Sequence, residues 1–329
     1  MRIFVTQPIV EAPLRRLRAL PGVEVDVNPD SSRILSRDRL LQEAARADVL
    51  CCLLHDRIDA EVVDAGSSLR LIANGAVHPA NIDVARATAR GIAVTTIPSI
   101  VTEATADLHW AILMAVARRI PEADRGLRAG MFPGSQSLHF AGCIVAGKTI
   151  GIIGFGDIGR SVARRAHGFG MRVLYNKRQA LAPSEEAELG VEYRDLDALL
   201  RESDFVSLHA SYHPGTHHLI GAAQLALMKP SSYLVNTARG PIVDEAALVE
   251  ALRVRRIAGA ALDVYEREPE VHAGLIDLDN VVLTPHLGSA TLETREAIAT
   301  AIIDSVTAFL RGERPPNLVN PEVLGSALS

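Results

Sequence analysis

Arg239, Glu268 and His286 each stand just past a short apolar strand-like run in the second half of the chain. A guanidinium can grip a carboxylate through two parallel hydrogen bonds and polarise a carbonyl beside it. An imidazole, with an ordinary pKa near ~6.5, exchanges a proton at neutral pH. A carboxylate on the far ring nitrogen orients the imidazole and favours its protonated form. Together the three groups could hold an anionic carbonyl compound and protonate it. Most other arginines, and most of the 11 histidines, read as surface bystanders. Position singles these three out, because α/β proteins bind ligands beyond the carboxyl ends of their strands.

A second motif lies in mid-chain. Residues 149–160 read Thr-Ile-Gly-Ile-Ile-Gly-Phe-Gly-Asp-Ile-Gly-Arg, an apolar strand running into Gly154, Gly156 and Gly159. In the G-x-G-x-x-G pattern the first glycine permits a turn, the second admits a phosphate and the third lets helix and strand pack closely. The helix that follows offers free amides and a positive dipole end to an anion. Ordinary strand–turn–helix units share the pattern, but here both flanks fit a dinucleotide site. An acid about 20 positions on would hold the ribose 2′-hydroxyl of NAD, and an arginine there the phosphate of NADP. The next strand instead ends in Asn176-Lys177-Arg178, without a carboxylate. Two cations and an amide suit a phosphomonoester, so NADP(H) is the preferred cofactor and NAD(H) remains possible. The alternative is a solvated polar loop.

Composition narrows the class. The 329 residues are 48% hydrophobic and 22% charged, with net charge −5, which fits roughly two ordinary globular domains. No basic run points to nucleic acid. Cys51 and Cys52 are adjacent and Cys143 stands alone, so no disulfide framework is expected and a reducing compartment fits. The amino terminus enters a strand directly, without a signal-peptide pattern. No apolar run approaches the ~18–20 residues of a membrane span. A cytoplasmic protein that binds neither membrane nor metal is the expectation.

The elements alternate. Arg2–Thr6, Val23–Val27, Asp48–Leu54, Leu69–Ala76 and Ala93–Ile97 read as strands, separated by helices at Pro13–Leu20, Asp38–Ala45, Ala60–Ala65 and Ile82–Arg90. A helix over Thr102–Ile120, with Glu103 at its positive end, is apolar around most of its circumference; it is central or sits at a subunit contact. Gly126–Ala146 lacks periodicity and reads as an irregular arm. Further strands follow at Thr149–Gly154, Arg172–Asn176, Phe205–His209, Tyr233–Asn236, Gly259–Val264 and Asn280–Thr284, with helices at Val243–Arg255 and Thr291–Leu310. This pattern predicts an α/β protein of two doubly wound parallel-sheet domains, Rossmann-like or flavodoxin-like. The dinucleotide-binding domain, residues 101–287, is inserted into a discontinuous substrate domain, residues 1–100 plus 288–329.

The chain resembles the D-isomer-specific 2-hydroxyacid dehydrogenases, particularly their glyoxylate/hydroxypyruvate reductase branch. The resemblance rests on the glycine loop and on three blocks: Val235-Asn236-Thr237-Ala238-Arg239-Gly240-Pro241, Gly259–Pro269 through Asp263 and Glu268, and Thr284-Pro285-His286-Leu287-Gly288. It implies reduction of a small 2-oxo acid to the D-2-hydroxy acid. Arg239 would bind and polarise substrate, His286 would donate the proton and Glu268 would orient His286. It also implies cofactor contacts at Phe155, Gly156, Asp157 and Ile158 around the pyrophosphate. Thr105, Thr237 and Ala238 would lie towards the nicotinamide, Gly288 would also contact the cofactor, and His209 and Thr216 would border the groove. Asp263 either accepts from the carboxamide or only ties down a turn. A homodimer is implied as well. Reductases of bulkier 2-oxo acids, such as 2-ketogluconate or aryl pyruvates, share these blocks, and so do dinucleotide-sensing binding proteins of the same fold.

The chain also departs from the family pattern. Backbone amides at Val77 and His78 should receive the substrate carboxylate, yet relatives carry glycine where His78 stands. A histidine there loses easy access to positive φ and either contacts a polar substrate tail or points outward. Relatives have proline at the position of Ser211, and often a tryptophan from the neighbouring subunit; here either Phe132 or Phe140 replaces it or nothing does. Leu53 and Leu54 either line the pocket or belong to the core.

Overall fold

A computed structural model describes residues 1–135 and 138–324. Residues 136 and 137 of the expected arm, and 325–329 of the expected substrate domain, lie outside the described residues. The chain forms two compact units, Met1–Ile100 with Ala290–Ser329, and Val101–Ser289.

In the first unit five parallel strands, β1 (Arg2–Val5), β2 (Glu24–Val27), β3 (Val49–Cys52), β4 (Leu71–Asn74) and β5 (Ala93–Thr95), lie in the order β2-β1-β3-β4-β5. Every residue of β3 and β4 is buried, as expected of parallel strands covered on both faces. Three of the intervening helices start at capping side chains. Ser36, Asp59 and Asp83 accept the amides of Arg39, Val62 and Arg86, each cap contributing about 1 kcal/mol. The helix Leu292–Leu310 buries Ile298, Ile302 and Val306 at four-residue spacing and packs on β4 and on the helix Glu11–Arg18. The segment beyond it is tied to β5: Asn320 accepts from the Val94 amide and donates to the Ile92 carbonyl.

In the second unit seven parallel strands follow, β6 (Thr149–Ile153), β7 (Arg172–Asn176), β8 (Val191–Tyr193), β9 (Phe205–Leu208), β10 (Tyr233–Asn236), β11 (Gly259–Leu262) and β12 (Val281–Leu283), in the order β12-β11-β10-β9-β6-β7-β8. The order reverses between β6 and β9, and such reversals open a crevice at the strands' carboxyl ends. One face carries Leu200, Leu234, Leu248 and Leu252; the other carries Ile150, Ile152, Val162 and Phe205.

Several elements differ from expectation. Strands expected over Asp48–Leu54 and Leu69–Ala76 are confined to Val49–Cys52 and Leu71–Asn74. The helix expected over Thr102–Ile120 stops at Ala117. Arg119 turns left-handed at φ 52, and a new helix runs Ile120–Arg128, so the first residues of the arm are helical. The long helix is central to its own unit. Trp110 stacks on Phe169 with ring centroids 4.8 Å apart and donates to the Val162 carbonyl. Among the described residues no helix is long and apolar enough to cross a membrane.

Candidate active site

The glycine turn is built by close approach. Gly154 has φ +91, and a Cβ on it would overlap the amide of Ala210; one on Gly159 would overlap the Gly154 carbonyl. At Gly156, which opens the helix Asp157–Gly168, nothing lies within 4 Å of the missing Cβ. Among the described residues no side chain caps this helix start, which leaves its first amides without a side-chain acceptor, as an anion site requires. Phe155 is buried, its ring 4.7 Å from that of Tyr175 and under the Arg160 guanidinium. Its side chain therefore serves packing, leaving only its backbone for a ligand.

Beyond β7 the chain turns under a clamp. The Tyr175 hydroxyl accepts the Leu181 amide at 2.7 Å and donates to Glu186 at 2.6 Å. Asn176 donates its side-chain amide to the Arg194 carbonyl. Lys177 is half-buried and Arg178 exposed, and among the described residues neither pairs with a carboxylate. Their cationic neighbours are occupied: Arg160 pairs with Glu185, and Arg172 and Arg194 pair with Glu192 and Glu202.

At the ends of β9 and β10 two shielded polar atoms, His209 Nδ1 and Thr237 Oγ1, have no partner among the described residues. Orphaned polar atoms of this kind fit a polar ligand. Ala238 is buried and donates its amide to Asn236 Oδ1. The Thr216 hydroxyl closes its own loop, meeting the Ser211 and His213 carbonyls and the His213 amide.

Arg239, Glu268 and His286 sit on turns after β10, β11 and β12. The first two turns touch through Gly240, where a Cβ would overlap the Tyr265 backbone. Tyr265 also donates its hydroxyl to the Thr284 carbonyl at 2.9 Å, linking the second turn to the third. Glu268 accepts the Tyr265 amide on Oε1, and its Oε2 lies 2.9 Å from His286 Nδ1. His286 is held at φ 55, a left-handed conformation that non-glycine residues adopt at a cost and that recurs at functional sites. Arg239 donates to the Ala238 carbonyl at 2.7 Å. Burial pulls its guanidinium below the ordinary value, and the charge of Glu268 opposes that shift.

Asp263 is fully buried and braces the histidine turn. Its Oδ1 accepts from Thr284 Oγ1 and the Leu287 amide, and its Oδ2 from the Gly288 amide. Burial raises its pKa and these hydrogen bonds lower it. These contacts tie down the turn. The Thr105 hydroxyl meets the Val101 and Gly288 carbonyls. In the first unit, Leu53 and Leu54 are half-buried and His78 is exposed. His78 is not among the left-handed residues, so replacing glycine there strains nothing. The loop is pinned by buried Asp56, which accepts the Leu53 amide, and by Asn81, which donates to the Leu53 carbonyl.

Sequence reading overlooked Tyr175 and Tyr265, which carry no motif. It also overlooked His109, whose signal was available: an imidazole inside an apolar helix.

A parallel sheet with a glycine turn at its point of reversal defines a dinucleotide-binding α/β domain. The family model for the NAD-binding domain of D-isomer specific 2-hydroxyacid dehydrogenases matches residues 110–288. The glyoxylate reductase of Thermococcus onnurineus is 48% identical over 327 residues, covering 98% of this chain and 97% of that one. A crystal structure of a protein from Thermus thermophilus superposes with TM-score 0.90 at 41% identity, covering 97% of this chain and 100% of that one. A Sinorhizobium meliloti NADPH-dependent glyoxylate/hydroxypyruvate reductase gives TM-score 0.79 at 32% identity, covering 97% and 98%. The chain belongs to the D-isomer specific 2-hydroxyacid dehydrogenase family.

Proposed function

We propose that the protein reduces a small 2-oxo acid, glyoxylate or hydroxypyruvate first, to the D-2-hydroxy acid with NADPH. The observation that carries this reading is the 2.9 Å contact between His286 Nδ1 and Glu268. It leaves Nε2 as the ring nitrogen that can present a proton to the developing alkoxide. Arg239 binds the substrate carboxylate and polarises the carbonyl. The dinucleotide supplies the hydride. Its pyrophosphate is held by the amides from Phe155 to Gly159, and its remaining contacts come from Thr105, His209, Thr216, Thr237, Ala238, Asp263 and Gly288. Lys177 and Arg178, which pair with no carboxylate among the described residues, support the NADPH preference, with Asn176 beside them.

Initial rates for a panel of 2-oxo acids, each with NADPH and NADH, test the proposal. Fastest turnover of glyoxylate or hydroxypyruvate with NADPH is expected. Tight dinucleotide binding without turnover of any oxo acid would instead establish a dinucleotide-sensing protein. A homodimer is part of the proposal. Phe132, Leu138 and Ile144 are 77%, 89% and 66% exposed, apolar surface of a kind that a second copy would cover, and sedimentation reads the outcome. A reducing, cytoplasmic setting is supported by the free thiols Cys51 and Cys52, both buried.

A further inference from the structure

We propose that Glu245 is a positioning residue for the proton-donating pair: it locks the turn from which Glu268 reaches His286. The proposal rests on the reading above that these two residues deliver the proton.

Glu245 is buried and opens the helix Glu245–Arg253, shortly after Arg239. The helix does not need it as a cap, because Asp244 already accepts the Ala247 amide. An acid at a helix start serves the dipole equally well from solvent. Here the carboxylate turns inward. Its Oε1 accepts the Glu266 amide at 2.7 Å, and Glu266 Oε2 accepts the Glu245 amide at a longer 3.4 Å. The two residues thus hold each other across 21 positions of chain. His218 Nε2 lies 2.9 Å from the other Glu266 oxygen, Oε1, and so secures that side chain from a third segment.

The lock adjoins the acid pair. Glu268 Oε1 accepts the Tyr265 amide, and Glu245 Oε1 accepts the next one, that of Glu266. Successive amides of one turn are therefore fixed by separate carboxylates. With its Oε1 engaged on the backbone, Glu268 keeps Oε2 for His286 Nδ1. The peptide between Tyr265 and Glu266 is also the one against which Gly240 lies, since a Cβ on Gly240 would overlap the Tyr265 carbonyl and the Glu266 nitrogen. Glu245 holds the N–H of that peptide. Without this acceptor the peptide is free to turn, and residues 266–268 turn with it.

The arrangement is costly. Burial raises the Glu245 pKa, the Glu266 amide lowers it and the Glu266 charge raises it again; His272 and Glu268 are the other charged groups that face it. Neighbouring carboxylates repel one another, and groups held against such a penalty cluster at functional sites.

The test is steady-state kinetics of the full chain with NADPH and glyoxylate across a range of pH, with NADPH affinity read by calorimetry. Glu245→Ala should lower kcat about tenfold, the usual effect of losing an outer-shell support, and change KM for glyoxylate by less than about threefold. The alkaline fall in kcat should move down by about half a pH unit or more, because a carboxylate that no longer faces the ring no longer favours its proton. Glu245→Gln keeps the acceptor and should recover kcat to within about threefold of wild type. If Glu245→Ala does not fold, Glu245→Asp, one methylene shorter, withdraws the acceptor from the Glu266 amide and should slow turnover in the same way. NADPH affinity should stay within about twofold throughout. Unchanged kcat and pH profile in both Glu245→Ala and Glu245→Asp overturn the proposal, as does a Glu245→Gln as slow as Glu245→Ala or a parallel loss of NADPH binding. Near-normal turnover in His286→Ala would overturn the acid-pair reading itself, and this inference with it.

Discussion

Gly240 lies flat against the Tyr265 backbone, with no room between them for a methyl group. The turn carrying Arg239 and the turn carrying Glu268 are thus held in direct contact. Gly240→Ala must push them apart. Overpacking of this kind costs about 1–3 kcal/mol, and separation of the turns should lower kcat/KM as well. Thermal melts and kinetics on one preparation check both effects; an unchanged kcat/KM would mean that the contact does not set the site's geometry.

His286→Ala should reduce turnover by about 10²–10⁴, the usual weight of general acid catalysis. Glu268→Gln preserves shape but removes the charge, and should cost about tenfold or more. Steady-state rates with saturating NADPH provide the comparison, and near-normal turnover in His286→Ala would reject the assigned role.

Arg239→Lys retains a cation but loses the planar fork. KM for the oxo acid should rise about tenfold or more, as expected for a lost charge-assisted hydrogen bond. Unchanged KM and kcat in this variant would remove Arg239 from substrate binding.

Lys177→Asp and Arg178→Ala should each shift the ratio of NADPH to NADH efficiency towards NADH by about tenfold or more. Wild-type enzyme that favours NADH would refute the cofactor assignment directly.

The imidazoles of buried His109 and half-buried His209 give stability a definite pH dependence. Unfolded histidine takes up a proton below its ordinary value of 6.5, whereas folded His209 resists until about 3 and His109 is likewise depressed. The unfolded chain therefore binds more protons in that window, and stability rises with pH. The contribution is complete above 6.5 and is lost as pH falls towards the folded values. Urea midpoints measured between about pH 4 and pH 7 should show this slope, and His109→Leu should flatten it.

The strands of both sheets and the glycine turn could be read from the sequence because their signals are local: β-branched runs and a fixed glycine spacing. β8 could not, since only Val191 is buried there and Glu192 and Tyr193 face solvent at the sheet edge. The helix Ile120–Arg128 was hidden because Pro121 and Gly126 interrupt it and none of its residues is buried. At the site, residue type and position after a strand brought out Arg239, Glu268 and His286. The supports were not legible, because Tyr265 reaches Thr284 across 19 residues and Glu266 meets Glu245 across 21. Such pairings arise only when the sheet brings distant segments together.

The clamp at Tyr175 closes its loop with the protein's own atoms and leaves Lys177 and Arg178 outside those bonds. On the proposed assignment, coenzyme choice would be a cassette: two side chains could be exchanged while the scaffold beneath them stays in place, so evolution or an engineer could retune it without rebuilding the domain.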